Sequence, residues 1–456
     1  MTKKMFTFIS ETNFNDIPNE AVKRAKNAII DCLGVALAGS SEESVKILTG
    51  HVKGMKALGE SGAICQEFKT ASSLGAWVNG TLCHALDYDD VFPSATGYNC
   101  HPTTTILPAV LALSEKYKIS GKDMLIAYIV GFEVESRIGL ACGLPQSELG
   151  WHPTSTLGSL GATAATSKLL RLTTAEVGAA LGIASSFAGG LRQNFGTMTK
   201  SLHAGNAARN GVLASEMAKA GFTASQDIMT GPISFCNVFS AGNGLDLADI
   251  EKDLGKNWHI VSPGISVKPY PSCRATHSAI DATLQMKKKH NIRTDEVVEI
   301  KCKVSPLIPQ LAMYHNPTKA VEAKFSIEFC IAIALLEGEV SLAQFKDQKV
   351  VSPVVQELIK KIKLISPTDW PTGIDLTQEV TIVLKDGEKY SCKVKKPKGD
   401  PENPLSEEER LTKFINCSTM APIPIDVERV LEIIDNVESL EDINRLMEIL
   451  TFGLGR

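Results

Sequence analysis

Apolar residues in the first half of the chain recur at helical spacing. Over residues 19–39 they fall at Val22, Ala25, Ile29, Ile30, Leu33 and Leu37, the period of a helix that buries one face. The same period predicts helices over 71–86, 103–117, 122–140, 155–170, 175–187 and 206–220. Ser120 followed by Asp123, and Thr173 followed by Glu176, have the spacing of helix N-caps, where a side-chain oxygen takes an otherwise unpaired N–H. Gly39 and Gly221 suit helix ends. Two of the helices are rich in small residues: Gly158, Gly161, Ala162, Ala164 and Ala165 in one, and Gly178, Ala179, Ala180, Gly182 and Ala184 in the next. Small side chains let helix axes approach closely. The pattern reads as tight packing in a buried layer, with a ligand path between the helices as the alternative.

The pattern changes near Ser262. Residues 297–304 alternate as a strand does, and 379–384 and 389–394 flank Asp386-Gly387, a hairpin signal. Helices are expected over 275–289, 323–336 and 353–362. Residues 395–404 (KKPKGDPENP) have linker composition. Ser406 and Glu409 then form a capping box, and helices resume to Leu450. The expected architecture is mainly α. One large all-helical domain is formed by both chain ends, 1–264 and 399–456, and a smaller α+β domain, 265–398, is inserted in it. A chain of 456 residues is long enough for two or three domains, and no solenoid repeat is present.

Composition narrows the class. With 44% hydrophobic and 21% charged residues, the chain has the apolar content of a globular protein. The net charge of −4, with Lys and Arg dispersed, advertises no nucleic-acid or anionic-membrane surface. A basic pocket for an acidic ligand remains compatible with it. Eleven cysteines run from Cys32 to Cys417 without a CxxC pair, as in a reducing cytosol, with neither a disulfide framework nor zinc-ligand spacing. The apolar stretch near the N-terminus is shorter than a signal peptide needs, and no run reaches the ~18 residues of a membrane span. The chain reads as cytoplasmic.

Six segments carry candidate chemistry. His84-Ala-Leu-Asp87-Tyr-Asp89-Asp90 closes a predicted helix and sets three carboxylates against its unfavourable dipole end; a solvated helix end would tolerate them, and a built site would use them. Asn99-Cys-His101-Pro-Thr-Thr104 and His152-Pro-Thr-Ser-Thr each place a His and a Pro at a helix start. One such His is usually structural; two give a pair of similarly presented imidazoles. Gly196-Thr-Met-Thr-Lys200-Ser-Leu-His203 places a Lys by a Gly- and Thr-containing turn ahead of a helix, without the order of a P-loop. Lys268-Pro-Tyr270-Pro-Ser-Cys273-Arg274-Ala-Thr-His277 gathers two cations and a His on a Pro-fixed backbone, and Tyr314-His315 precedes Glu322-Ala-Lys324-Phe-Ser326. Together they offer His for acid–base work, Lys and Arg for carboxylates, and no metal-binding signature. Cys100 beside His101 and Cys273 beside Arg274 have electropositive neighbours that would activate a thiol; a packed, inert thiol is the alternative.

The strings HALDYDD, NCHPTTTILPAVLAL, GWHPTSTLGSLGATAAT, GTMTKSLHAGNAARNG, VKPYPSCRATH and EAKFS resemble, in order and over nearly the whole chain, motifs of the MmgE/PrpD family. That family includes 2-methylcitrate dehydratases, cis-aconitate decarboxylases and iminodisuccinate epimerases. The resemblance implies a cofactor-independent enzyme on a small polycarboxylate. It also implies a homodimer, a helical domain with an α+β lid, and an active site between the domains. Carried over by motif, Asp87, His101, His152, Lys200, His277 and Tyr314 would be catalytic. Lys268 and Arg274, beside His277, are read as carboxylate-binding from charge, and Lys200 is expected to hold a substrate carboxylate with them. Where family members often have Thr after the acidic string, this chain has Val91, and residues 92–99 also depart from the pattern.

The first expectation is dehydration of 2-methylcitrate or a related hydroxy acid, with one His or Asp87 removing a proton beside a carboxylate and a second His protonating the departing hydroxyl. Decarboxylation of cis-aconitate to itaconate and epimerisation of an imino acid are the alternatives; all share a carbanion stage beside a carboxylate. Two other classes compete. The Asp-rich string resembles terpenoid cyclases, but aromatic residues, at 6%, are too few to line a cation-guiding pocket. A non-catalytic helical dimer would leave His101, His152, Lys200 and His277 unexplained.

Overall fold

The computed structural model describes residues 2–92, 100–244, 251–371 and 375–455. It is mainly α. Two compact units emerge: residues 1–193, 199–265 and 406–456 form the first, and 194–198 with 266–405 form the second.

The helices of the first unit are α1 (Thr2–Glu11), α2 (Asn19–Gly39), α3 (Glu43–Gly54), α4 (Ser72–His84), α5 (Pro102–Tyr117), α6 (Gly121–Glu148), α7 (Pro153–Leu169), α8 (Thr174–Phe187) and α9 (Met198–Lys219). A two-stranded ribbon, β1 (Ser61–Gly62) and β2 (Lys69–Thr70), lies between α3 and α4. The expected caps form: Ser120 accepts from the Asp123 N–H, and Thr173 and Glu176 close a capping box. α5, α6 and α7 are buried along most of their length. Their small residues mark close approach. A Cβ on Gly158 would lie 2.6 Å from Thr105 Cγ2, and one on Gly161 2.2 Å from Glu135 Oε2. Side chains of any size there would force the helices apart and forfeit packing.

α9 starts at Met198, eight residues before the expected start at Asn206. Its first two turns bury Lys200, Ser201 and His203, so no apolar period marks them. Lys200 therefore sits on a helix and not in a preceding turn. α6 also runs past the expected end at Leu140 to Glu148, with non-helical φ/ψ at Gly143.

The second unit contains α10 (His277–His290), α11 (Ile327–Glu337), α12 (Pro353–Ile359) and a four-stranded sheet. The strands are β3 (Val297–Lys303), β4 (Ile362–Ile365), β5 (Gln378–Leu384) and β6 (Lys389–Val394), in spatial order β4-β3-β5-β6. β3 pairs antiparallel with β5 and parallel with β4, with Ile300 opposite Ile382 and Ile362. Residues of β5 alternate buried and half-buried along its length, as a strand with one covered face requires. The helix expected over 353–362 ends at Ile359, and β4 follows. A four-residue strand pairing with a partner 62 positions earlier in sequence leaves too short a period to read. The helix expected over 323–336 begins instead at Ile327, where Ser326 caps it. The segment 395–404 is not a free linker: Val267 N–H donates to the Gly399 carbonyl at 2.9 Å, and Asp400 is buried.

Three helices complete the first unit after this segment: α13 (Glu407–Ser418), opened by the Ser406–Glu409 capping box, α14 (Val427–Asp435) and α15 (Asn444–Phe452). No described helix is long and apolar enough to cross a membrane.

Candidate active site

Four helices of the first unit bring one polar cluster together inside an otherwise apolar core. α4 ends at His84, and the backbone then turns through Asp87, whose φ of 53° lies in the left-handed region that Asp tolerates better than most residues. His101 and His152 are the N-cap residues of α5 and α7, each followed by Pro at the first helical position. α9 supplies Lys200 and, one turn on, His203. All of these side chains are buried, and Asp89 and Asp90 have no exposed surface at all. The solvated-helix-end reading of the acidic string is thereby overturned.

The hydrogen bonds fix the protonation pattern. Lys200 Nζ lies 2.7 Å from His84 Nε2 and donates to Asp87 Oδ1 at 3.0 Å. An ammonium has only donors, so His84 Nε2 is the acceptor and its proton is on Nδ1. That Nδ1 faces both oxygens of Asp89 at 3.0 Å. His101 Nδ1 approaches Asp89 Oδ2 at 2.7 Å, and its Nε2 lies 3.9 Å from Asp87 Oδ1. Asp89 is therefore gripped by two imidazoles. Burial alone would raise its carboxyl, but His84 and His101 outweigh burial and hold it well below the usual range. His84 is pushed down to about 4, by burial first, with Asp89 opposing and Lys200 assisting. His84 is thus a neutral bridge between a cation and an anion.

A second imidazole pair adjoins the first. His152 Nδ1 and His203 Nδ1 are 2.9 Å apart, so one donates and the other accepts. Ring centroids step 4.5 Å from His101 to His84, 6.1 Å on to His152 and 5.1 Å on to His203. Burial, then Lys200, pushes His152 well below the ordinary imidazole range and His203 down to about 4. Behind the cluster, Asp90 accepts from Thr103 at 2.6 Å, and burial pushes its carboxyl well above the usual range, the opposite direction to Asp89.

His84, Asp87, Asp89 and His101 each offer a ligand atom, all within 4.8 Å of one another, a donor set that a divalent cation accepts. The Lys200 ammonium already lies against two of the four.

Of the residues expected from sequence, Asp87, His101, His152 and Lys200 come together here. Lys268, Arg274, His277 and Tyr314 belong to the second unit. There Lys268 has no exposed surface, and Arg274 donates to His277 Nδ1 at 3.0 Å and to the Lys398 carbonyl at 2.8 Å. His277 Nε2 faces the Ser272 carbonyl at 3.1 Å, and the Tyr314 hydroxyl donates to the Phe195 carbonyl at 3.0 Å. His84, Asp89 and His203 were not singled out from sequence. His84 and Asp89 stand in the same acidic string as Asp87, and His203 lies one helical turn from Lys200, which is the signal that would have found them. Val91 is fully buried, and residues 93–99 lie outside those described. Cys100 is no activated thiol: it donates to Glu135 Oε1 at 2.6 Å, and burial and that carboxyl push it far up.

Comparison with known proteins identifies the family. Residues 3–248 match the MmgE/PrpD N-terminal domain and 270–439 the MmgE/PrpD C-terminal domain. A cis-aconitate decarboxylase from Mus musculus is 30% identical over 99% of this chain and 93% of its own length. Those from Homo sapiens and Aspergillus terreus are each 29% identical, over 99% of this chain and 94% and 96% of theirs. The chain belongs to the MmgE/PrpD family.

Proposed function

We propose that the chain is a cytoplasmic, homodimeric lyase that decarboxylates cis-aconitate, or a close unsaturated tricarboxylate, without a cofactor. Relatives aligned over the full chain favour this reaction over the dehydration placed first on sequence grounds. The reaction breaks the bond to the carboxylate on the saturated carbon and releases CO₂. The electron pair moves through the neighbouring double bond to the carbon beside the far carboxylate. One proton is added there, giving itaconate. The charge that develops is that of a carboxylate-stabilised carbanion, and it needs a fixed cation and an acid.

One observation carries this reading: an ionised Asp89 between two imidazoles, one of which is bonded to Lys200. Lys200 supplies the cation, oriented by His84 and Asp87. His101, its Nδ1 on Asp89, is the acid, because Asp89 stabilises its imidazolium as the buried Asp does in a catalytic triad. His152, in contact with His203, is a neutral hydrogen-bonding partner for a substrate carboxylate. Lys268, His277 and Tyr314 enter the same reading as substrate-handling groups on the motifs that carry them, and Arg274 as the residue that orients His277.

Proton NMR in D₂O without added metal tests it. Cis-aconitate is expected to give itaconate with one deuterium on the methylene beside its carboxylate. If cis-aconitate is inert while 2-methylcitrate develops new vinyl signals, the enzyme is a dehydratase and the decarboxylation reading is wrong.

A further inference from the structure

Away from the polar cluster, the first unit has a cavity of about 340 Å³ lined by faces of α2, α13 and α14. The size is within the range of small-molecule sites. From α2 come Lys23, Ile30 and Asp31, from α13 Glu407, Arg410 and Leu411, and from α14 Leu431 and Asp435. The spacing puts each set on one helical face. Ile30, Leu411 and Leu431 make an apolar wall, while Lys23 and Arg410 stand with Glu407 and Asp435 around it, a lining of mixed charge.

Asp31 is the feature that asks for a ligand. It is 5% exposed, and its Oδ1 pairs with Lys413 Nζ at 2.7 Å. Its other oxygen, Oδ2, is buried with no hydrogen-bond partner among the described residues. A buried carboxylate oxygen without a donor is unfavourable, so a donor arriving through the cavity gains what the fold leaves unmade. The same residue leads to the candidate active site. Lys413 donates to the Tyr88 carbonyl at 2.8 Å and lies 4.0 Å from the centre of the Tyr88 ring. Tyr88 is the residue between Asp87 and Asp89. A second cation on Asp31 Oδ2 weakens, by like-charge repulsion, the hold of Oδ1 on the Lys413 ammonium, and Lys413 also donates to the Tyr88 carbonyl.

We infer that this cavity is an effector site for a small zwitterion with an aliphatic side chain, an apolar α-amino acid in chemical class, whose occupancy weakens catalysis. The ammonium donates to Asp31 Oδ2, the carboxylate meets Lys23 and Arg410, and the side chain covers Ile30, Leu411 and Leu431. The mixed lining selects a zwitterion over a dianion, which Glu407 and Asp435 repel. Loosening Lys413 relaxes the Asp87–Asp89 turn, so substrate handling suffers, and by reciprocity substrate weakens effector binding.

Calorimetry on the full chain with L-leucine, isoamylamine and 4-methylpentanoate tests binding independently of turnover. Leucine is expected to bind, and each half-molecule to bind more weakly. Ile30→Trp, which enlarges the apolar wall into the cavity and leaves both Asp31 and Lys413 in the chain, is expected to abolish binding, as is Asp31→Asn where it folds. Leucine is also expected to raise KM for cis-aconitate about five-fold or more, within the usual range of allosteric coupling. No leucine binding by the native protein overturns the site. Binding that survives in Ile30→Trp places it elsewhere, and amine binding as tight as leucine's refutes the zwitterion. Binding with unchanged KM and kcat refutes the coupling. All of these readouts except the last stand even if the natural substrate is a different acid.

Discussion

The two units each gather His and cationic side chains, and they use them differently. In the first, polar side-chain atoms meet other side chains: Lys200 meets His84 and Asp87, and Asp89 meets His84 and His101. In the second, much of the same chemistry is spent on backbone. Arg274 donates to the Lys398 and Pro397 carbonyls, His277 Nε2 faces the Ser272 carbonyl, and Tyr314 donates to the Phe195 carbonyl. A side chain bound to a titratable partner can exchange protons and charge with it. One bound to a carbonyl pins a loop. Residue type alone therefore does not assign a role; the destination of its donors does.

The largest effect expected of this contrast is at Lys200. Lys200→Ala removes the cation from the cluster and is expected to lower kcat by ~10²–10⁴-fold in the protein that stays folded. Steady-state kinetics beside a melting curve decide it, and near-native turnover would end the assignment. Arg274→Ala should show the opposite balance. It leaves buried carbonyls at Lys398 and Pro397 without their donor, so urea unfolding should report a loss of about 3 kcal/mol. Turnover in the fraction that stays folded should fall far less than in Lys200→Ala. If the two variants are indistinguishable in both readouts, the contrast drawn here fails.

A third test concerns the acid behind the cluster. Glu135, bonded to Cys100 and Thr105, is pushed up by burial from 4.5 to about 7. Between those values the folded chain keeps a proton that the unfolded chain has released. Its contribution to stability is thus complete below pH 4.5 and is lost as pH rises through 7. Relative to Glu135→Gln, the native protein should lose about 3 kcal/mol of unfolding free energy over that window. A difference that does not change with pH would mean that Glu135 is ionised throughout. The smallest effect belongs to Tyr314→Phe. Its bond to the Phe195 carbonyl should be worth about 1 kcal/mol of stability. As a substrate-handling group it should also cost kcat about ten-fold, and an unchanged kcat would remove Tyr314 from the proposed site.

Much of the fold was legible because most helices carry a regular apolar period and marked caps. α2, for example, spans the residues its period predicts, and Thr173 with Glu176 closes the box its spacing implies. The misses share a cause. The first turns of α9 bury Lys200 and His203 instead of apolar residues, and β4 is defined by a partner strand far away in sequence. Half of the polar cluster was legible too, since Asp87, His101, His152 and Lys200 each stand in a recognisable motif.

By itself, then, the sequence determined the helical period, the caps, the motif order that places the chain in its family, and which residue types are available for acid–base work. Only the tertiary structure decided that two imidazoles hold the Asp89 carboxyl down while burial pushes Asp90 beside it up, and that His84 joins Lys200 to Asp89. It also decided that Arg274 donates to the Lys398 and Pro397 carbonyls and that Cys100 is a buried thiol bonded to Glu135. Local spacing fixes backbone conformation, because those forces act within a turn or two of chain. Protonation and hydrogen-bond partnership depend on which groups from remote segments share a buried volume, and only packing sets that.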